Sequence, residues 1–311
     1  MPAPIDGRLR DAIAAGRARS FKEGGDWADD AAVRAVTARF ADGTTLAEGE
    51  AAARSLVEDA GWVAAMLAPS IARLRDDPLS EPPFKSRGDA LRTGMVLAQT
   101  PVASVTMAAI DPLAPAARVM PDTVVVGGRV SWTHYLRGGE TRLWRWRADP
   151  VDAQWHGGIA APARPLGVRP LADGAVVRID GRTDGMLLAD PAAEILSVTI
   201  TLRPGAAPFL REYDRRSGAL VRVAMPDDDA ACSSMLLTLL GELGQGGAEL
   251  FDALSHDPAF FVRWDAMREW LAADAGAALP RLRAMTADPH PDVRAAACTM
   301  VPLIDARLGR A

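Results

Sequence analysis

Chemistry that turns on a metal or on proton transfer needs imidazoles and carboxylates that converge, and this chain has few to offer. Of its four His, His134 stands in the run Thr133-His134-Tyr135-Leu136-Arg137-Gly138-Gly139-Glu140. His156 follows in Trp155-His156-Gly157-Gly158, while His256 and His290 sit in Asp-Pro turns further on. His134, His156 and Glu140 are the residues from which a site for one divalent metal ion could be assembled, with neutral imidazoles as ligands. The plainer reading makes His134 a hydrogen-bonded wall residue and His156 a loop residue in water. The chain has no Gly-x-Ser-x-Gly, no phosphate-binding P-loop and no His-Glu-x-x-His, so no catalytic residue is assigned.

A second group of residues suits binding. Only 5% of the chain is aromatic, yet Trp132, Tyr135, Trp144, Trp146 and Trp155 fall within 24 positions, interleaved with Arg142, Arg145 and Arg147. Such a cluster can stack on a planar or anionic ligand, or form a Trp-rich core with cation–π pairs at its edge. Trp132, His134, Tyr135, Arg142, Trp144 and Trp146 are the candidate ligand-binding residues. Glu212 and Tyr213, on a later strand, are placed where they could face a pocket.

These residues must be held by strands. Val130–Arg137 and Glu140–Arg147 read as a β-hairpin about a Gly138-Gly139 turn, with His134 opposite Leu143. On that register Val130, Trp132, His134 and Leu136 share one face. Ser131, Thr133, Tyr135, Arg142, Trp144 and Trp146 share the other. Neither face is uniformly polar, so both are expected to be covered. Further short apolar runs lie at 95–98, 102–110, 124–126, 175–179, 186–188, 195–202, 209–213 and 220–224. A Pro/Ala/Gly-rich loop is expected over His156–Pro170, and a turn at Arg215–Gly218. About ten strands without helical patterns between them argue for an antiparallel sandwich or barrel.

The flanks read as helical. Asp30 precedes the stripe Val33, Val36, Thr37, Phe40, and Thr45 with Glu48 forms a capping-box pattern. Trp62, Val63, Met66, Leu67, Ile71 and Leu74 make another stripe, with a break or kink expected at Pro69. Pro78, Pro82 and Pro83 mark a linker. After Pro226 the run Asp227-Asp228-Asp229 reads as charge complementing a helix N-terminus, ahead of Met235, Leu236, Leu239, Leu240 and Leu243. Gly244–Gly247 is a linker between helices.

One motif recurs. Asp257-Pro258 aligns with Asp288-Pro289, and Val262-Arg263 with Val293-Arg294, both offset by 31 residues. This resembles the short HEAT-like helical repeats, in which Asp-Pro opens a turn and Val-Arg begins the next helix. The physics agrees: Pro presets φ, the Val enters the core, and the Arg reaches back to carboxylates or carbonyls at the turn. Arg263 and Arg294 are therefore structural. The resemblance implies an interaction module with a protein partner on the C-terminal helices.

The middle of the chain is similar to cupins, which carry a His-x-His and a Glu on one hairpin, then a Gly-Asp-led strand and a last His. Here Trp132 stands where the first His would be. The step from His134 to Glu140 is about one residue longer than the family's, and Arg182-Thr183-Asp184 occupies the place of the last His. The resemblance implies the fold and not the metal.

The totals set the frame. At 311 residues, 49% hydrophobic, 24% charged and with net charge −5, the chain is an ordinary globular protein with no basic run to track phosphates, so no nucleic-acid partner is expected. No run approaches roughly 18 uninterrupted apolar residues and the first residues hold no signal-peptide core, so no membrane partner is expected. Cys232 and Cys298 read as free buried thiols in a reducing cytoplasm. Richness in Ala, Arg, Asp and Gly is that of a high-GC bacterial gene.

The expectation is thus an α+β cytoplasmic protein. It has an N-terminal helical cap (1–83), a cupin-like β-sandwich or barrel (84–226) and a HEAT-like helical region (227–311). Its expected role is that of a non-catalytic adaptor or accessory protein that holds a small molecule or peptide in the β-domain, without a cofactor. The rival is a metal-dependent cupin-type oxygenase or isomerase using His134 and His156. Pairing of β-domains as a homodimer is a third reading.

Overall fold

A computed structural model describes residues 7–24, 27, 29–82, 84–88, 92–114, 119–152, 155–224 and 228–309. Pro83, Pro226 and Asp227 lie outside the described residues. The chain divides into two compact units. One comprises Met1–Ala148, Ala163–Ala206 and Asp214–Gly218; the other comprises Asp149–Pro162, Ala207–Tyr213 and Ala219–Ala311. It is an α+β protein with antiparallel sheets.

The first unit opens with α1 (Gly7–Gly24), α2 (Ala31–Thr37), α3 (Leu46–Glu58) and α4 (Gly61–Asp76). Their starts follow local chemistry. The Asp30 carboxylate accepts the amides of Ala32 and Val33, and Thr45 with Glu48 closes the capping box of α3. The expected break at Pro69 is absent. α4 runs on through it, giving up one backbone hydrogen bond rather than a boundary.

A six-stranded sheet follows, in the order β1 (Lys85–Gly88), β2 (Arg92–Gln99), β3 (Ala103–Ile110), β10 (Ile195–Leu202), β5 (Val130–Gly138), β8 (Ala175–Asp180). A separate three-stranded sheet has the order β7 (Arg164–Pro170), β6 (Arg142–Arg147), β9 (Asp184–Ala189). β4 (Thr123–Val126) precedes β5. Alternation along the strands sorts residues between two cores. Val130, Val198, Ile200 and Leu202 join Val33, Phe40, Val57 and Met66 beneath the helices. Tyr135, Val177, Ile179 and Ile195 join Leu143 and Leu171 between the two sheets. Both faces of the large sheet are therefore covered, each fully buried large apolar side chain contributing roughly 1.5–3 kcal/mol.

The expected hairpin is corrected. β5 and β6 are consecutive but do not pair: β5 has β10 on one edge and β8 on the other, while β6 lies between β7 and β9. With both edges of β5 taken, the return strand must leave for the second sheet. The turn itself falls one residue later than expected, with Gly139 (φ 62°) and Glu140 (φ 51°) both left-handed and Thr141 N–H bonded to Gly138 O at 3.2 Å. Neighbouring segments then hold the corner. Gly138 N–H donates to Asp173 Oδ1 at 2.6 Å, the amides of Ala192 and Ala193 to Gly139 O, and buried Thr141 Oγ1 to Ala189 O. A Cβ on Gly139 would lie 2.5 Å from Ala193 O, so the φ and the crowding both require glycine.

The expected loop over His156–Pro170 is also corrected. It contains a 3₁₀ turn, Gly157–Ile159, and strand β7. β7 carries Pro165 and Pro170, has every residue exposed and lies at a sheet edge, where missing amides cost least.

In the second unit β11 (Leu210–Asp214) pairs with β12 (Leu220–Ala224), Arg211 opposite Val223. Helices α5 (Asp228–Glu242), α6 (Ala248–Leu254), α7 (Phe260–Ala284) and α8 (Pro291–Arg307) follow. α7 is two segments: Asp274 leaves helical geometry (φ −151°, ψ 88°) and its carboxylate caps the second at Ala277 N. The core takes Val262, Ala266, Met267, Leu279, Leu282 and Val293. The two Asp-Pro turns share one geometry. Arg263 Nη1 donates to the carbonyls of Asp257 and Pro258 at 2.9 and 3.0 Å, and Arg294 Nη1 to those of Asp288 and Pro289 at 2.7 and 2.8 Å. Arg263 also grips Asp288 through Nε and Nη2 at 3.0 and 2.7 Å. Cys232 and Cys298 are free but exposed, not buried, since both stand at outward helix positions.

Candidate functional site

A pocket of about 320 Å³ lies within the second unit. Five short stretches of the chain build it. The segment leading into the 3₁₀ turn supplies Trp155, His156 and Gly157; Phe209, just before β11, joins Val223 and Ala224 of β12. The first turns of α7 and α8 supply Phe260, Phe261 and Asp292. The Asp-Pro turns explain that last group, because each delivers the first residues of the next helix.

The rings form a continuous chain. Trp155 and Phe209 have centroids 5.4 Å apart, Phe209 and Phe260 6.0 Å, and Phe260 and Phe261 5.9 Å, the last two pairs edge to face. Behind this wall Phe260 lies flat on His290, centroids 3.6 Å apart and planes 8° from parallel. His290 is buried. Its Nδ1 accepts the Asp292 amide at 3.3 Å, so the neutral ring carries its proton on Nε2. Burial pushes its pKa below the ordinary value, against upward pulls from Asp292 and a Trp155 backbone group. Among the described residues no group meets Nε2 at hydrogen-bonding geometry.

Arg211, 1% exposed, backs the other end. Its Nη1 donates to the Asp149 carbonyl at 2.7 Å and the Tyr213 hydroxyl at 3.0 Å. Its guanidinium carbon lies 5.7 and 5.8 Å from the Trp155 and Tyr213 ring centroids. Burial lowers the pKa of Arg211 and raises that of Tyr213. The pocket is thus an aromatic cleft on a rigid backing, with His156 and Asp292 as its ionisable side chains.

The residues singled out by sequence lie elsewhere. Trp132 and His134 point from β5 toward α3: Trp132 Nε1 donates to Glu50 Oε1 at 3.4 Å, and His134 Nδ1 to the Val57 carbonyl at 2.5 Å. Tyr135 faces the core between the sheets, where burial pushes its phenol up to about 12. Arg142, Trp144 and Trp146 stand on β6 in the other sheet, with the two indoles stacked at 6.3 Å. Glu140 is exposed at the sheet-to-sheet corner. His156 belongs to the second unit, where it lines the pocket. Glu212 pairs with Arg222 at 2.8 Å, and Tyr213 is the partner of Arg211. Phe209, Phe260, Phe261 and Asp292 were not foreseen; the Phe pair one residue beyond Asp257-Pro258 is the sequence signal that could have found them.

Among the described residues no three or more His, Cys, Asp or Glu gather as metal ligands would, and no helix is long and apolar enough to cross a membrane.

No protein-family model matches the chain, and no curated protein matches it. Solved structures similar to it include a sugar phosphate isomerase from a cupin superfamily of Silicibacter pomeroyi. It is 13% identical, covering 47% of this chain and 90% of that one, with a TM-score of 0.27. A putative sugar phosphate isomerase from Acidithiobacillus ferrooxidans is 10% identical over 47% of this chain and 86% of that one (TM-score 0.27). Ectoine synthase from P. lautus is 11% identical over 38% of this chain and 69% of that one (TM-score 0.23). Likeness at these scores carries no argument about this chain, whose antiparallel sheets are read from their own strand pairing.

Proposed function

We propose that this is a non-catalytic binding protein with an adaptor or accessory role, combining a cupin-like sandwich under an N-terminal helical cap with HEAT-like helices. The observation that carries the reading is the aromatic pocket of the second unit, whose size suits a small ligand or a single side chain of a peptide. The matched carbonyl-gripping arginines of the two Asp-Pro turns support the HEAT-like part. α5 supports a protein partner: its Met235 and Leu239, with Leu243 directly after the helix, are 74%, 52% and 61% exposed at i, i+4, i+8 spacing.

The test is a ligand-observed NMR screen of small aromatic and aliphatic fragments against the whole protein and an Ala224→Phe variant, which fills the pocket. Saturable binding lost in Ala224→Phe is the expected result. A protein that binds no fragment, or binds them equally well with the pocket filled, would not be a pocket-binding protein.

A further inference from the structure

The chemistry of the pocket wall narrows its ligand, a step that rests on the binding reading above. Among the described residues four aromatic rings line it and no Lys or Arg does; the lining side chain of fixed charge is the Asp292 carboxylate. Aromatic faces carry negative quadrupole potential, so rings plus a carboxylate attract a cation and repel an anion. The first turns of α7 and α8 would by themselves favour an anion, but Asp292 stands in the first turn of α8 and offsets that end. The Arg211 guanidinium, 5.7 Å from the Trp155 centroid, shows that this ring takes a cation, although its own charge works against a second one. Arg211 is held there by Asp149 O and Tyr213 Oη, and does not line the pocket.

A primary ammonium ion enters such a site poorly, because it must give up strong hydrogen bonds to water for which the rings offer no replacement. A methylated ammonium group has few or none to lose, spreads its charge over its methyl groups and presents an apolar surface to the rings. The small volume admits such a head group. From this we infer that the pocket lined by Trp155, Phe209, Phe260, Phe261 and Asp292 binds an organic cation bearing a methylated ammonium group. Two sources share that chemistry, a free quaternary amine and a methylated lysine side chain.

Calorimetric titration of the whole protein tests this with choline and with its uncharged carbon isostere, in which tert-butyl replaces trimethylammonium. Choline is expected to bind at least about tenfold more tightly, equivalent to 1.4 kcal/mol. Phe261→Leu keeps apolar volume but loses a ring, and Asp292→Asn loses the charge. Each should weaken choline several-fold and leave the isostere unchanged, with circular dichroism showing both variants folded. Equal binding of choline and isostere would overturn the cation inference while leaving the pocket reading intact. Binding of neither would also overturn it, and the fragment screen then decides the pocket reading separately. A trimethyllysine peptide that outcompetes choline, where the unmodified peptide does not, would support the inference and identify a protein side chain as the source. Choline alone would support it with a free amine.

Discussion

The two Asp-Pro turns place chemically identical arginines in different surroundings, and the difference predicts unequal costs of removal. Arg263 is 9% exposed and Asp288 6%; Arg294 is exposed. Arg263→Met removes two charge-assisted bonds to Asp288 and two to the carbonyls of Asp257 and Pro258. It also leaves a buried carboxylate without its counter-ion, and breaking a buried pair from one side costs about 3–5 kcal/mol. Arg294→Met removes only carbonyl bonds that water can replace, at about 1 kcal/mol. Urea unfolding followed by circular dichroism reads the difference as a midpoint shift at unchanged slope. Adding Asp288→Asn to Arg263→Met should recover part of the loss, because the orphan charge is gone while the His290 amide keeps an oxygen acceptor.

The pH dependence gives an independent check. Burial pushes the Asp288 carboxyl up, but the Arg263 bonds, the His290 amide and nearby positive charge outweigh it, and the net direction is down. A carboxyl whose folded pKa is lowered contributes stability that is present above the unfolded value, about 3.9, and is lost as pH falls through the folded value. In Arg263→Met the upward push of burial is opposed only by the His290 amide and the Arg281 charge, so the deficit against wild type should narrow on acidification. Equal costs for the two arginines, or a deficit that widens in acid, would refute this account.

Both Tyr of the chain are raised, Tyr135 to about 12, so Tyr135 should add no step to phenolate absorbance near pH 10 while the protein is folded, and Tyr213 should ionise above its ordinary value. That contribution to stability is full below pH about 10 and lost as pH rises toward the folded value. The carboxylate of Asp184 is 2% exposed and ion-paired with Arg145 and Arg147 at 2.5 and 2.8 Å, so Asp184→Asn should cost about 2 kcal/mol in thermal or urea unfolding. Protein purified without chelator or tag metal is expected to hold no stoichiometric Fe, Mn, Ni or Zn. Metal that disappears in His134→Ala would overturn the non-catalytic reading, whereas His134→Ala on the proposed reading costs about 1 kcal/mol for the lost bond to Val57.

What the sequence made legible was whatever its own neighbours decide. The Asp30 and Thr45 caps depend on a side chain and amides within three residues, and both form as the spacing implies. The Asp-Pro/Val-Arg repeat fixes its own turn, because the Arg reaches carbonyls five and six residues back. The alternation of Val130, Trp132, His134 and Leu136 correctly sorted one strand into two faces. None of this says which strand lies alongside. The Gly138–Thr141 corner has hairpin dihedrals, but β10 and β8 occupy both edges of β5, and those partners lie far away in sequence. β7 escaped for another reason: an exposed edge strand with two prolines has neither alternation nor apolar content.

The pocket was hidden by both effects together. Its lining comes from 155–157, 209, 223–224, 260–261 and 292, segments that are adjacent only after folding. Each of its Phe residues, taken singly, reads as ordinary core. The dense Trp132–Trp146 cluster drew attention because its members are close in sequence, yet adjacency along strands distributes side chains among opposite faces and different sheets. Convergence instead required positions that each end or begin an element: Phe209 before β11, Ala224 closing β12, Phe260 and Phe261 opening α7, and Asp292 opening α8. A site made from element ends leaves no periodic trace, since periodicity belongs to element interiors. The trace it does leave is the Asp-Pro turn itself, which in both cases stands just ahead of a helix whose first residues line the pocket.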